Sequence, residues 1–297
     1  MIGAMRAATS VAAIGVACTA VGLFTACGGV PDRQTADRPA ELEDFDPSSF
    51  ARSTQIDNPW MPLMPGTRFI YEGTTIEDDG REVPHRIVIN VTDLTKLIGG
   101  VRALVTWDLD YSDGELVEAE LAFFAQDTAG TVWRLGEYPE EYEEGKFIEA
   151  PAWIHGFEDA RAGIMMMADP QFGTSSYAQG WGPAVDWTDR GQVDQMGQQT
   201  CVPTGCYEDV LVIIETSASE PDAEQLKYYA RGVGNVRVGF RGEGDPTKET
   251  LELVRVEQLD AAALAEVRAK ALELERSAYQ RSKTVYALTP PAEVGAP

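Results

Sequence analysis

From residue 68 onward the chain alternates apolar and polar positions in short runs, each closed by a turn signal. That period of two is the signature of half-buried β-strands. Residues 68–72 alternate in part, and Asp79-Gly80 supplies a hairpin turn before the run 86–92. Gly99-Gly100 leads into 101–111, Ser112-Asp113-Gly114 into 115–125, and residues 127–130 into 131–135. Five runs joined by tight turns predict an antiparallel meander. Further strands are expected over 207–216, 225–230, 234–240 and 249–257. Residues 210–214, Val-Leu-Val-Ile-Ile, are apolar on both faces, as in a strand at the centre of a sheet. The period then lengthens. Leu264, Val267, Ala271, Leu274 and Ala278 fall on one helical stripe, with Asp260 as N-cap, so a helix reaching about residue 282 should dock outside the sheet. The expected fold is mainly β: an antiparallel curved sheet or half-barrel with one C-terminal amphipathic helix.

Three stretches break this rhythm. In 58–67 the prolines are three apart (Pro59, Pro62, Pro65), which favours an extended strap along the first strand, presenting Trp60 and Leu63 for packing. Residues 136–196 show few strands, so an irregular excursion that covers or rims the sheet is expected there. At the N-terminus, Arg6 precedes a mostly small, apolar run from Ala7 to Val21, followed by Leu23-Phe24-Thr25-Ala26-Cys27 and Gly28-Gly29. This reads as an export signal with a small residue before its cut site. Cys27 resembles the acylated cysteine of a bacterial lipobox, although Phe24 stands where Leu, Val or Ile is usual. The organisation expected is a lipoprotein signal peptide (1–26), a flexible tether (27–55), a β domain (56–258), a helix (259–283) and a disordered tail (284–297).

Charge narrows the function. The formal net charge is −24. Such a surface repels phosphate backbones, and no basic stripe offsets it, so nucleic acid is excluded as a partner. No second apolar run approaches the ~20 residues that span a bilayer, so a soluble domain held by an N-terminal lipid anchor is expected. Besides Cys27, and Cys18 within the signal, the cysteines are Cys201 and Cys206, with Pro203 and Gly205 between them. In an oxidising compartment this spacing reads as a disulfide clamping a hairpin.

Two blocks carry a resemblance. Asn58-Pro59 through Pro62-Leu63, then Pro65-Gly66-Thr67 and Tyr71-Glu72-Gly73, is similar to the opening of an uncharacterised family of exported bacterial proteins and lipoproteins. Lys227-Tyr228-Tyr229-Ala230 with Gly232-Val233-Gly234 resembles the closing strands of that family, and 202–211 its central hairpin. The likeness spans roughly residues 55–256 and implies a fold more than an activity. At the level of fold alone, the meander looks like the curved half-barrels of the LolA and LppX type.

Catalytic chemistry finds little support. Only His85 and His155 are present, no Gly-x-Ser-x-Gly elbow occurs, and His85 follows Pro84 at a strand start, a common surface position. Asp108, Asp110 and Asp113-Gly114 glance at a calcium loop, but the spacing is wrong and the twelfth-position glutamate is missing. Alternation would leave Asp108 and Asp110 facing solvent. His155 with Glu158 and Asp159 reads as a polar loop rather than a metal site. No cofactor is expected. The reading is a non-enzymatic lipoprotein of the bacterial cell envelope, anchored on the extracytoplasmic side, that binds an apolar ligand or an envelope protein on the concave face of the sheet. Met165, Met166, Met167, Trp181 and Trp187 are the candidate rim, because methionine and tryptophan adapt to apolar surfaces. A structural or assembly role and a hydrolase of unrecognised type are the alternatives.

Overall fold

The computed structural model describes residues 41–77 and 79–295. Cys27 and the expected export signal lie outside the described residues. The meander consists of β1 (Thr67–Ile76), β2 (Glu82–Ile98), β3 (Val101–Ser112), β4 (Glu115–Gln126) and β5 (Val132–Glu143). Short strands follow: β6 (Lys146–Phe147), β7 (Trp153–Ile154), β8 (Arg161–Met166), β9 (Tyr177–Ala178) and β10 (Gly180–Trp181). The second half has β11 (Arg190–Val202), β12 (Gly205–Thr216), β13 (Gln225–Ala230), β14 (Gly234–Phe240) and β15 (Thr250–Gln258). Helix α1 (Ala261–Arg281) and a last strand, β16 (Glu293–Val294), complete the chain.

All neighbours pair antiparallel, in the order β10-β8-β5-β4-β3-β2-β1-β15-β14-β13-β12-β11-β9. The two ends of that order are one short segment. Tyr177 and Ala178 pair with Gly191 and Arg190 at one end, whereas Gly180 and Trp181 pair with Ala162 and Arg161 at the other. Residues 177–181 thus clasp the sheet into a nearly closed barrel, which is the expected curved sheet carried almost to closure. Glycine is required where the clasp touches. A Cβ on Gly163 would lie 2.1 Å from the Gly180 amide nitrogen, and one on Gly191 would meet the Tyr177 ring at 2.8 Å.

Strand alternation sorts the side chains into two cores. Inside the barrel, Phe69 and Tyr71 of β1 meet Ile87 and Ile89 of β2, Phe124 of β4, Met166 of β8, and Leu211 and Ile213 of β12. Outside, Ala103 and Val105 of β3 and Leu121 and Phe123 of β4 pack beneath α1 through Ala271, Leu274 and Ala278. Asp260 caps α1 as expected, its carboxylate accepting from the Ala263 amide. The Cys201–Cys206 disulfide joins directly paired residues of β11 and β12, with Cα atoms 4.0 Å apart.

Two segments expected to be loose are packed. Within the expected tether, Phe45 and Phe50 pack at a tilt against each other and edge-on against Trp133 on the outer face. The expected disordered tail folds back on the barrel as far as residue 295. Tyr286 is fully buried against Tyr138 and Tyr279, and β16 pairs with β2. In each segment one or two aromatics in a polar context supply packing that composition alone conceals.

Candidate functional site

The barrel interior has two chemically distinct halves, set by where each inward position falls along its strand. Inward positions of β3 run Leu104, Thr106, Asp108, Asp110, from apolar to acidic. Neighbouring strands change in the same direction and bring His85, Glu120, Arg134, Glu137, Lys227 and Glu249 into the second half, all buried. Arg134 bridges Glu120 and Glu137 and lies over the Trp187 ring at 4.7 Å. Lys227 Nζ is 2.9 Å from Glu215 Oε2.

His85, expected at the surface, has a fully buried ring between two carboxylates: Nε2 is 2.7 Å from Asp110 Oδ1 and Nδ1 3.1 Å from Glu249 Oε1. Burial opposes its charged form, but the flanking carboxylates outweigh that and hold the pKa up at about 10. Asp108 and Asp110, expected to face solvent, also point inward. Alternation places them on one face correctly but does not say which face is enclosed. Carboxylates outnumber cations here, and the excess keeps protons. Burial, helped by the charge of Glu120, raises Asp108. Burial also raises Glu137, against the pull of Arg134, and burial with Glu215 pushes Asp189 up to about 6. A small cavity of about 40 Å³ opens among Asp189, Glu215, Asp245 and Glu249 at this end. The array's one imidazole is engaged by two carboxylates. Among the described residues no group of three or more His, Cys, Asp or Glu is arranged to hold a metal ion.

The opposite end is plugged by the proline strap. Ile56 and Leu63 form a bridge, and Trp60, Met61 and Leu63 insert into the interior apolar core. Asn58 fixes the strap. Its Nδ2 donates to the Gly130 and Met167 carbonyls at 2.8 and 3.0 Å, and its Oδ1 accepts from the Trp60 amide at 2.8 Å. The concave face is therefore filled by the chain's own side chains. Beside the plug runs a groove of about 660 Å³, open to the surface and reaching the interior core at Ile56, Leu63 and Leu104. Its apolar lining comes from Ile56, Leu63 and Met64 of the strap, Leu104 of β3, Leu264 in the first turn of α1 and Val294 of β16. Thr54, Gln55, Asp57, Asp93 and Thr95 supply the polar lining. A second groove of about 680 Å³ lies on the other side of the exposed Met64, between the strap and β15.

The candidate rim residues do not gather around one opening. Met165 and Met166 are buried in the interior apolar core, and Met167 follows them with its carbonyl bonded to Asn58. Trp181 belongs to the clasp, and Trp187 is buried beside it, stacked on Trp153 with centroids 5.7 Å apart. The groove beside Met64 is lined by other residues. His155 accepts from the Ala162 amide through Nδ1 and packs on Phe45, and burial lowers its pKa. Sequence reasoning missed Arg134 and Lys227. Their signal is a single cation inside an otherwise apolar strand, as in Val-Trp-Arg-Leu and Leu-Lys-Tyr-Tyr.

No protein-family model and no curated protein matches the chain. Among solved structures, it is similar to a protein inferred to be exported, with a YmcC-like fold, from Bacteroides fragilis NCTC 9343. That match has 12% identity and a TM-score of 0.39, and covers 67% of this chain and 98% of the other. It is also similar to an inferred lipoprotein from Parabacteroides distasonis ATCC 8503, at 12% identity and a TM-score of 0.30, covering 67% and 99%. Likeness at this level assigns no residue a role.

Proposed function

We propose that this chain is a non-enzymatic lipoprotein of the bacterial envelope, anchored through Cys27, that binds the apolar chain of a lipid-like ligand. The ligand lies in the groove bounded by the strap, β2, α1 and β16. The observation that carries this reading is the groove itself. About 660 Å³ lies within the roughly 300–1,000 Å³ usual for small-molecule sites, and its lining is more apolar than polar. A ligand inside the barrel is disfavoured, because ion pairs and the plug already fill that space. The excess of carboxylates over the whole chain favours a ligand with a neutral or cationic head. Hydrolysis has no apparatus in the ionic half, where His85 is held by Asp110 and Glu249 rather than by a nucleophile.

The test is titration of the chain, begun after Cys27, with the neutral apolar fluorophore N-phenyl-1-naphthylamine. Saturable enhancement that weakens at least fivefold in Leu264→Gln supports the groove. Enhancement that is absent, or that ignores this substitution, overturns ligand binding there and moves the function toward protein–protein interaction.

A further inference from the structure

One wall of the groove is built from the last described residues, and they are held differently from the rest of the barrel. Val294 and Gly295 line it, while Glu293 and Val294 pair with Thr95 and Leu94 of β2. Their attachment is almost wholly polar. The Gly295 amide donates to the Asp93 carbonyl at 2.7 Å, and Arg102 Nη1 is 3.1 Å from Glu293 Oε2. Glu293 and Val294 themselves are exposed. Further back, everything converges on one buried ion pair, Lys96 Nζ to Glu275 Oε1 at 2.9 Å. Lys96 also donates to the Pro290 carbonyl at 2.8 Å, and Glu275 Oε1 accepts from the Ala292 amide at 2.9 Å. The other walls belong to long strands, the helix and the plug. A segment held by exposed polar bonds with little apolar burial opens at a smaller free-energy cost than its surroundings.

We infer that residues 290–295 are a gate on the groove, latched by the Lys96–Glu275 pair, whose release admits and discharges the apolar ligand. This rests on the groove being a binding site. Closed, β16 completes the wall; open, it bares the edge of β2 at Leu94 and Thr95 and leaves the rest of the barrel intact. Lys96 is the natural latch, because one ammonium ties β2, α1 and the returning tail together. Its ring contacts, with Tyr286 at 4.1 Å and Tyr279 at 5.2 Å, keep it in place whether or not the tail is engaged.

The experiment compares stopped-flow binding of N-phenyl-1-naphthylamine by the chain begun after Cys27, by the same chain ending at Thr289, and by Arg102→Ala. Arg102→Ala removes the exposed Glu293 contact and a bond to Thr95 Oγ1 at 3.1 Å, and leaves the Lys96–Glu275 latch untouched. A gate predicts that association and dissociation both accelerate about tenfold or more in the truncated chain and a few-fold in Arg102→Ala. Amide exchange at Ala292 and Gly295 should also be fast beside that of β2 in the intact chain. Rates within twofold of the intact chain in both variants, with binding preserved, would overturn the gate while leaving the groove standing. No saturable binding by the intact chain would overturn the underlying reading and the gate with it.

Discussion

Arg134 shows how much of this interior depends on single charged side chains. Its guanidinium is buried between Glu120 and Glu137, over an indole, where water cannot replace a lost partner. Removing the guanidinium leaves the buried carboxylates without their counter-charge, at a cost of about 3–5 kcal/mol. Arg134→Ala should lower stability by that amount in urea unfolding at neutral pH. An effect below about 1 kcal/mol would mean that the carboxylates find another source of neutralisation. The alternation that makes β5 a strand is plain in the sequence. What it leaves open is the direction each face takes, since an inward face is ordinarily recognised by being apolar. Here the inward faces change from apolar to ionic along their length, so Asp108, Asp110 and His85 look like surface residues and are not. A lone arginine within Val-Trp-Arg-Leu was the available sign, because it is the single cation in an apolar run.

Among the elements, the meander and the closing strands were legible because each pairs with a neighbour close in sequence across a Gly- or Asp-containing turn. Helix α1 was legible for the same local reason, from its cap to its stripe. The clasp was not. Its two-residue strands have no room for a period, and their pairing partners lie at the two far edges of the sheet. Only the glycines mark it, at Gly163, Gly180 and Gly191, where backbones or rings come too close for a Cβ. Gly163→Ala should therefore unfasten the clasp from β8 while the meander and the second half remain paired. The expected result is faster proteolytic nicking within residues 167–176 and little change in far-ultraviolet circular dichroism. Unchanged proteolysis would show that the edges are held together without the clasp. The β11–β12 hairpin needs no such aid. Its disulfide closes a short loop worth roughly 2 kcal/mol in the chain-entropy model and fixes the register at the hairpin tip.

For the whole molecule, the ionic half of the barrel makes stability depend on pH in an unusual direction. Asp108, Glu137 and Asp189 titrate above their ordinary range when folded, so over that interval the folded chain holds more protons than the unfolded one. Stability should then fall as pH rises from the ordinary carboxylate range to beyond Asp189's folded value of about 6. His85 acts in the same sense. Its contribution is complete below its unfolded value of 6.5 and disappears as pH passes about 10. Urea midpoints should decline steadily from pH 5 to pH 9, and the decline should be shallower in His85→Gln. A midpoint that rises over this range would show that the interior carboxylates are ionised and fully paired. Among the described residues, the buried atoms Asp108 Oδ1, Arg134 Nε and Tyr177 Oη have no hydrogen-bond partner. One more property follows from β1 lying against β15, with Thr67 opposite Gln258. The first strand waits for its second neighbour until nearly two hundred further residues have appeared, so the barrel is a slow, late-closing topology. Under the export proposed above, that delay would leave the emerging chain open while it crosses the membrane.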